Sequence, residues 1–161
     1  MSEHDTCSRS FVSAMIQLWC ANGIQGRRRM IRTNDDTKGT KTILVVEDEK
    51  EIRGLAVEFL ESLVYEVLEA GDGPSALDVL EKKGQGIDLV FSDVNMPSGM
   101  TGFELAQEVS LCYPHIKVLL TSGDPKWVID KDGIRGTGIT LLRKPYKIAD
   151  LAEAVRTALD Q

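Results

Sequence analysis

Acidic, hydroxyl and basic side chains follow short aliphatic runs at four places in the sequence. The runs are Ile43–Val46, Leu89–Phe91, Val118–Leu120 and Ile139–Leu142, and the polar residues behind them are Glu47, Asp48, Glu49, Ser92, Asp93, Thr121, Ser122, Arg143 and Lys144. In an open α/β sheet, ligands bind outside the carboxyl ends of the parallel strands. Five of these side chains are therefore expected to share one rim of a sheet: Glu47, Asp48, Asp93, Ser122 and Lys144.

Such a rim has the chemistry of a site for a divalent cation and a phosphoryl group. Clustered carboxylates repel one another, so one of them stays protonated unless a cation is present. Mg²⁺ prefers an octahedron of oxygen ligands and often binds through one or two carboxylates plus a phosphate. Lys144 can hold one phosphoryl oxygen, and Ser122 can donate a hydrogen bond to another. The set indicates in-line phosphoryl transfer onto a carboxylate, where positioning and charge neutralisation supply most of the catalysis.

Helical segments separate the aliphatic runs and predict the elements that position this rim. Two segments, 52–63 and 148–159, repeat apolar residues at i, i+3, i+4, i+7 and i+11, which gives one stripe that covers a sheet face. The other helices are predicted from Pro74 in a first turn, over Phe103–Cys112 with a stop near Pro114, and over Pro125–Asp130 as a short fifth. Tyr65–Leu68 is a weaker fifth strand near an edge. Alternation of strands and helices predicts a doubly wound (βα)₅ fold, whose four aliphatic runs are buried on both faces of a parallel sheet.

Four segments resemble the signature segments of bacterial response-regulator receiver domains, the chemotaxis-regulator-like modules of two-component signalling. They are ILVVEDE, DLVFSDVNMP, VLLTSGD and LLRKPY. Their order and spacing agree over about 120 residues, from Lys41 to the C-terminus. Four segments in order, each at a strand end, are far more specific than any one of them. The resemblance implies a flavodoxin-like sheet with strand order 2-1-3-4-5.

The same resemblance implies a role for each residue of the rim. Asp93 would be the phosphoacceptor, Ser122 the switch hydroxyl and Lys144 the phosphate-binding lysine. The Mg²⁺ site would consist of Glu47, Asp48, Asp93 and the backbone carbonyl of Asn95, with Glu47 acting through a metal-bound water. The peptide bond between Lys144 and Pro145 would be cis.

Three positions depart from the commonest pattern of this family. Glu47 stands where aspartate is frequent, and its longer side chain favours a water-mediated contact with the metal. The loop over residues 97–102 is one residue longer than usual and resembles a subgroup found in hybrid histidine kinases and stand-alone receivers. Leu141 stands where many receivers have a switch aromatic, so signal output is expected to depend more on Ser122 and the loop after the fourth strand.

Composition divides the chain into two regions. The 161 residues carry a net charge of −6, which separates into +2 for residues 1–40 (six basic, four acidic) and −8 for residues 41–161 (thirteen basic, twenty-one acidic). An acidic domain is a poor candidate for binding nucleic acid directly. Residues 1–40 are expected to be a flexible N-terminal extension, with a docking helix over Ser10–Trp19 as the alternative, and Met30 is a possible second start site. Residues 41–161 are expected to form the receiver domain.

The three cysteines and the hydropathy of the sequence indicate the cellular compartment in which the chain is expected to act. Cys7, Cys20 and Cys112 are odd in number and form no C-x-x-C pair, which favours free thiols in a reducing, cytoplasmic setting over a disulfide framework or a zinc site. No apolar run approaches the roughly 20 residues that span a bilayer. We therefore expect no association with a membrane.

The predicted function is that of a phosphoacceptor in a two-component phosphorelay. A histidine kinase or histidine phosphotransferase would donate the phosphoryl group to Asp93. A protein-interaction face made by the fourth helix, fifth strand and fifth helix of the (βα)₅ order would then shift to an active state and contact a downstream protein. Catalysis would be limited to Mg²⁺-dependent self-phosphorylation and self-dephosphorylation, and homodimerisation on phosphorylation is left open. Because the chain ends soon after the last predicted helix, no DNA-binding or enzymatic output domain is expected.

Three alternatives stay open from the sequence. The chain could be the receiver part of a hybrid histidine kinase system, or a constitutive pseudo-receiver that binds partners without phosphorylation. The presence of all five site residues argues against the pseudo-receiver. An aspartyl-phosphate phosphohydrolase also uses aspartate, Mg²⁺ and lysine, but its D-x-D-x-T motif requires aspartate at the position of Asn95. The cognate kinase, the process controlled and the phosphoryl lifetime are not encoded in any motif.

Overall fold

A computed structural model describes residues 40–97, 99–123 and 138–161, which form a five-stranded sheet with helices on both faces. The strands are β1 (Thr42–Val46), β2 (Glu66–Ala70), β3 (Leu89–Asp93), β4 (Lys117–Ser122) and β5 (Ile139–Arg143). The described helices are α1 (Lys50–Ser62), α2 (Gly73–Lys83), α3 (Gly102–Cys112) and α4 (Ile148–Asp160), and a 3₁₀ turn covers Gly84–Gly86. Except for Thr40, the extension predicted over residues 1–40, with Ser10–Trp19, lies outside the described residues, as does the predicted helix Pro125–Asp130.

The sheet has the predicted order, β2-β1-β3-β4-β5, and every neighbouring pair is parallel. Alternate residues of β1 pack on opposite faces: Leu44 and Val46 contact the core under α2 and α3, and Ile43 and Val45 contact the core under α1 and α4. This alternation follows from the period of two along a strand. It buries β1 on both faces, as the continuous aliphatic run predicted.

The prediction of burial on both faces is wrong for β5. Residues Ile139–Leu142 are only half-buried and Arg143 is exposed. The strand lies at the edge of the sheet, opposite β2, and an edge strand has a neighbour on one side only. An aliphatic run in the sequence therefore marks a strand but does not distinguish a central position from an edge.

Side-chain caps fix where two of the helices begin. Asp72 accepts a hydrogen bond from the Ser75 N–H at 2.8 Å at the start of α2, and Thr101 accepts one from the Glu104 N–H at 3.2 Å at the start of α3. In return, the Asp72 and Thr101 N–H groups donate to the side chains of Ser75 and Glu104, which completes a capping box at each helix. The boxes satisfy N–H groups that have no partner within the helix. Within the described part of the chain, no helix combines the length and apolar character needed to cross a bilayer.

The end of α1 places a β-branched residue in a left-handed conformation. Val64 has φ 69°; its N–H donates to the Glu61 carbonyl at 2.9 Å, and the Tyr65 N–H donates to the Leu60 carbonyl at 3.3 Å. These two bonds are the Schellman pattern, whose left-handed position glycine normally occupies. Val64 is 64% exposed, so burial of its side chain does little to offset the strained backbone.

We expect Val64→Gly to stabilise the protein. Relief of the Cβ clash is worth about 1–2 kcal/mol, and the greater chain entropy of glycine in the unfolded state offsets about 0.5–1 kcal/mol of it. Urea denaturation should therefore show an unfolding free energy higher by roughly 0.5–1 kcal/mol. Val64→Ala, which keeps the Cβ atom, is the matched control and should gain less. A lower midpoint for the glycine variant would contradict this account of the turn.

Candidate functional site

Three carboxylates meet where β1 and β3 end. Glu47 and Asp48 directly follow β1, Asp93 is the last residue of β3, and the two strands are neighbours with Val46 paired to Ser92. One carboxylate oxygen from each of the three residues lies within 4.8 Å of the others. Glu47 is buried, and Asp48 and Asp93 are half-buried. Oxygen donors grouped in this way could hold a small hard cation such as Mg²⁺, which takes oxygen ligands.

A lysine that follows the edge strand β5 contacts two of these carboxylates. Lys144 follows β5, and its Nζ donates to Asp93 Oδ2 at 3.1 Å and to Glu47 Oε2 at 3.4 Å. The Lys144 backbone N–H donates to the Ser122 carbonyl at 2.8 Å, which fixes the start of this loop against the end of β4. The Lys144–Pro145 peptide is cis, as the resemblance implied. The Lys144 side chain is 10% exposed, close to the values of 7% for the Glu47 side chain and 11% for the Asp93 side chain.

Burial and repulsion by neighbouring carboxylates raise the pKa values of Glu47 and Asp93. Burial raises the pKa of Glu47 from 4.5 to about 7, against the opposing charge of Lys144 and reinforced by Asp93 and Asp48. Burial also raises the pKa of Asp93, although Lys144 opposes this shift. For Lys144 burial alone would lower the pKa, but the charges of Asp93 and Glu47 outweigh it and hold the pKa above its ordinary value. The Lys144 ammonium therefore stays charged, and this single positive charge can balance only one of the three clustered carboxylates.

The loop after β3 is held against the backbone of Asp93. Ser92 Oγ donates to the Asp93 carbonyl at 2.9 Å, and the Gly102 N–H donates to the Val94 carbonyl at 3.0 Å. A Cβ atom on Gly102 would overlap the Asp93 carbonyl oxygen. Glycine at this position therefore lets α3 begin in direct contact with the end of β3.

The structure brings together most of the side chains predicted for the rim. Glu47, Asp48, Asp93 and Lys144 surround one volume, as expected. Ser122 is fully buried as the last residue of β4, one position beyond Thr121, which pairs with Asp93. The Asn95 N–H donates to Asp93 Oδ1 at 3.4 Å. The role of the Asn95 carbonyl as a ligand and the role of Ser122 as a switch stay predictions.

Two residues near the site were not identified from the sequence. Tyr146, two residues after Lys144, is 6% exposed and packs among the apolar side chains under α1 and α4, and burial raises the pKa of its hydroxyl. Arg53, on α1, donates to the backbone carbonyl of Glu47 at 2.7 Å. The only sequence signal for Arg53 was a basic residue in the first turn of the predicted helix, beside its apolar stripe.

The acidic cluster gives a pH dependence of stability with a definite sign. Because the pKa of Glu47 is raised from 4.5 to about 7 on folding, the folded chain holds a proton that the unfolded chain releases within this window. The associated stability is present below pH 4.5 and is lost as the pH rises through about 7, with an upper limit of about 3 kcal/mol. Metal-free protein is therefore expected to melt at a lower temperature at about pH 8 than at about pH 5. Mg²⁺ should raise the melting temperature at about pH 8 and so reduce this difference.

Differential scanning calorimetry in a chelating buffer, repeated with Mg²⁺, measures this dependence. Glu47→Gln keeps the side-chain shape and removes the titration, so it should flatten most of the profile. If Glu47→Gln retained the full pH slope, the assignment of the dependence to this carboxylate would be wrong.

The chain matches a protein-family model, sequences of characterised signalling proteins and solved receiver-domain structures. Residues 43–156 match the family model described as the response regulator receiver domain. The chain is 32% identical over 138 residues to the sensor kinase CckA of Brucella abortus, covering 86% of this chain but only 14% of the kinase. It is 29% identical over 119 residues to the response regulator receiver protein CpdR of the same organism, covering 74% of this chain and 97% of CpdR. A crystal structure of the receiver domain from the hybrid histidine kinase CckA superposes with a TM-score of 0.62 at 39% identity, covering 73% of this chain and 98% of that domain.

Proposed function

The chain belongs to the response regulator receiver domain family of two-component systems, and from this membership we propose that Asp93 accepts a phosphoryl group from the phosphohistidine of a partner protein. One observation carries the assignment to Asp93. Its carboxylate lies 3.1 Å from the Lys144 ammonium and within 4.8 Å of the carboxylates of Glu47 and Asp48. The proposed nucleophile therefore lies beside both a group of carboxylates that could hold a cation and a positively charged side chain.

The proposed cation is Mg²⁺, held by Asp48, Asp93 and the Asn95 carbonyl, with Glu47 joined through water. The donor set fits this ion, because it consists of oxygens only and carries more negative charge than Lys144 balances. When bound, Mg²⁺ would neutralise charge on the oxygens of the group being transferred. Receiver domains in general bind Mg²⁺. The proposal adds which residues of this chain would hold the ion.

The reaction is a displacement at phosphorus in which the protein's own groups act by position. A carboxylate oxygen of Asp93 forms a bond to phosphorus while the bond from phosphorus to the donor's imidazole nitrogen breaks, and the imidazole takes up a proton. Lys144 already donates to Asp93, so its ammonium can shift onto a phosphoryl oxygen without crossing the pocket. Ser122, at the end of the adjacent β4, is proposed to donate to another phosphoryl oxygen.

The consequence of phosphorylation is a change in the protein surface around β5. Lys144 follows β5 directly, and its N–H is bonded to the Ser122 carbonyl, so a movement of either side chain toward phosphate alters the same loop. We propose that the two states differ in these contacts, which is the condition for a ligand to shift an equilibrium. The downstream partner would be a protein that binds the face that contains β5 and α4; the predicted helix Pro125–Asp130, which the sequence assigned to the same face, lies outside the described residues. A cytoplasmic location and dimerisation on phosphorylation stay predictions.

Acetyl phosphate provides a direct test, because it can donate a phosphoryl group without a partner protein. With Mg²⁺, the intact mass of the chain should rise by one phosphoryl group, with acetate as the other product, and with a chelator it should not. A phosphohydrolase would turn over the donor without accumulating label, and a pseudo-receiver would neither accumulate label nor consume the donor. Similarity to CckA does not favour the receiver part of a hybrid kinase over a separate protein, since CpdR matches over nearly its whole length.

A further inference from the structure

The guanidinium of Arg53 binds the peptide group between Glu47 and Asp48, the two acidic residues that directly follow β1. Its Nη1 donates to the Glu47 carbonyl at 2.7 Å, and this carbonyl belongs to the peptide unit between Glu47 and Asp48. On the other side, the Glu47 N–H donates to the Ala70 carbonyl of β2 at 3.2 Å. Both polar backbone groups of Glu47 are therefore held, one by the neighbouring strand and one by a side chain of α1.

The position of Arg53 is itself well determined. Its backbone N–H donates to the Glu49 carbonyl at 2.9 Å in the first turn of α1, and its Nε donates to Glu69 Oε2 of β2 at 3.1 Å. Gly71 has no side chain, and a Cβ atom there would lie 3.6 Å from Arg53 Nη1. The Arg53 side chain is 17% exposed, against 62% for Glu69. The guanidinium thus links α1, the end of β1 and β2 in a partly buried position.

Arg53 acts on the main chain rather than on the carboxylates. The charged groups that shift the pKa of Glu47 are Lys144, Asp93 and Asp48, and Lys144 makes the contacts to Glu47 and Asp93. A charge-assisted bond to a backbone carbonyl restricts the orientation of that peptide plane, and with it the directions in which the side chains of Glu47 and Asp48 leave the chain.

We infer that Arg53 is a positioning residue for the cation site, which orients the Glu47–Asp48 peptide so that both carboxylates converge with Asp93. Mg²⁺ demands nearly ideal octahedral geometry, so its affinity is sensitive to such orientation. Groups that orient metal ligands without touching the metal typically contribute 10- to 100-fold to metal affinity. The inference rests on the proposed function, because it assumes that the acidic cluster binds Mg²⁺.

The test is calorimetric titration of Mg²⁺ alone into the unphosphorylated full chain, for wild type and three variants. Arg53→Met removes both side-chain bonds and should weaken Mg²⁺ binding by about tenfold. Glu69→Gln is the matched control, because it removes the ion pair to Arg53 but leaves the bond to the Glu47 carbonyl, and it should bind Mg²⁺ like wild type. Arg53→Lys keeps the positive charge and should retain part of the Mg²⁺ affinity. If circular dichroism shows that Arg53→Met folds poorly, the lysine variant replaces it in the test.

Acetyl phosphate labelling over a range of Mg²⁺ concentrations supplies the second readout. Arg53→Met should raise the Mg²⁺ concentration for half-maximal rate while leaving the rate at saturation close to wild type. Equal Mg²⁺ affinity in wild type and both Arg53 variants, whatever the melting temperatures, would overturn the inference and leave the proposed function standing. An equal loss of affinity in Glu69→Gln would also overturn it, since the ion pair would then be the cause. Absence of Mg²⁺ binding by wild type would instead overturn the proposed function and this inference together.

Discussion

Asp93→Asn is expected to abolish phosphorylation by acetyl phosphate, leaving the intact mass unchanged under conditions that label the wild type fully. The amide that replaces the carboxylate has almost the same size, and it can still accept hydrogen bonds from Lys144 and the Asn95 N–H. It carries no negative charge and cannot form the acyl phosphate, so the covalent step is lost without a change of shape. Mass spectrometry of the intact chain, with and without Mg²⁺, measures the result.

A matched control separates loss of the nucleophile from loss of a charge. Asp78→Asn makes the same chemical change at an exposed position of α2 and should be labelled like wild type. Asp93→Asn should also remove one of three repelling carboxylates, so its metal-free form is expected to melt no lower than wild type. Labelling that persisted in Asp93→Asn, for example on Asp48, would show that the phosphoacceptor has been assigned to the wrong carboxylate.

The close approach of distant residues at this site could be predicted from the sequence. Lys144 and Glu47 are 97 positions apart, yet their side chains lie 3.4 Å from each other. Parallel strands place all their carboxyl ends at one edge, so an aliphatic run followed by a polar residue carries positional information without any contact being known. The strand order was implied by the resemblance, and the structure has the same order.

The contacts that orient these side chains could not be predicted in the same way. Arg53 reaches the Glu47 carbonyl only because α1 packs with its first turn over the ends of β1 and β2. This contact depends on how α1 is placed on the sheet and on the rotamer of Arg53. Neither of these can be inferred from the periodicity of apolar residues in the sequence. The left-handed backbone at Val64 was also missed. The usual sequence signal for such a turn is a glycine, and this position holds a valine. Burial of β5 was overestimated because aliphatic composition does not report the neighbours of a strand.

Lys144→Met is expected to change phosphorylation and Mg²⁺ binding in opposite directions. Methionine has a similar length but carries no charge and donates no hydrogen bond. Removal of one preorganised donor from a phosphoryl-transfer site should lower the labelling rate by about 100-fold. Mg²⁺ should bind more tightly, by roughly 3- to 10-fold, because the ammonium no longer competes for the carboxylates of Asp93 and Glu47. Loss of this positive charge also removes the interaction that lowers the pKa of Glu47, so the tighter binding should be most evident above neutral pH.

The opposite signs exclude a general loss of structure as the explanation, since a distorted pocket would weaken both functions. Lys147→Met makes the same change of charge three residues away, at an exposed position before α4, and should alter neither the rate nor the affinity. Labelling rates from mass spectrometry and Mg²⁺ affinities from calorimetry on the same preparations complete the comparison. A Lys144→Met variant that was labelled at the wild-type rate would remove the lysine from the transfer step. One that bound Mg²⁺ less tightly would mean that Lys144 organises the carboxylates instead of competing with the cation for them.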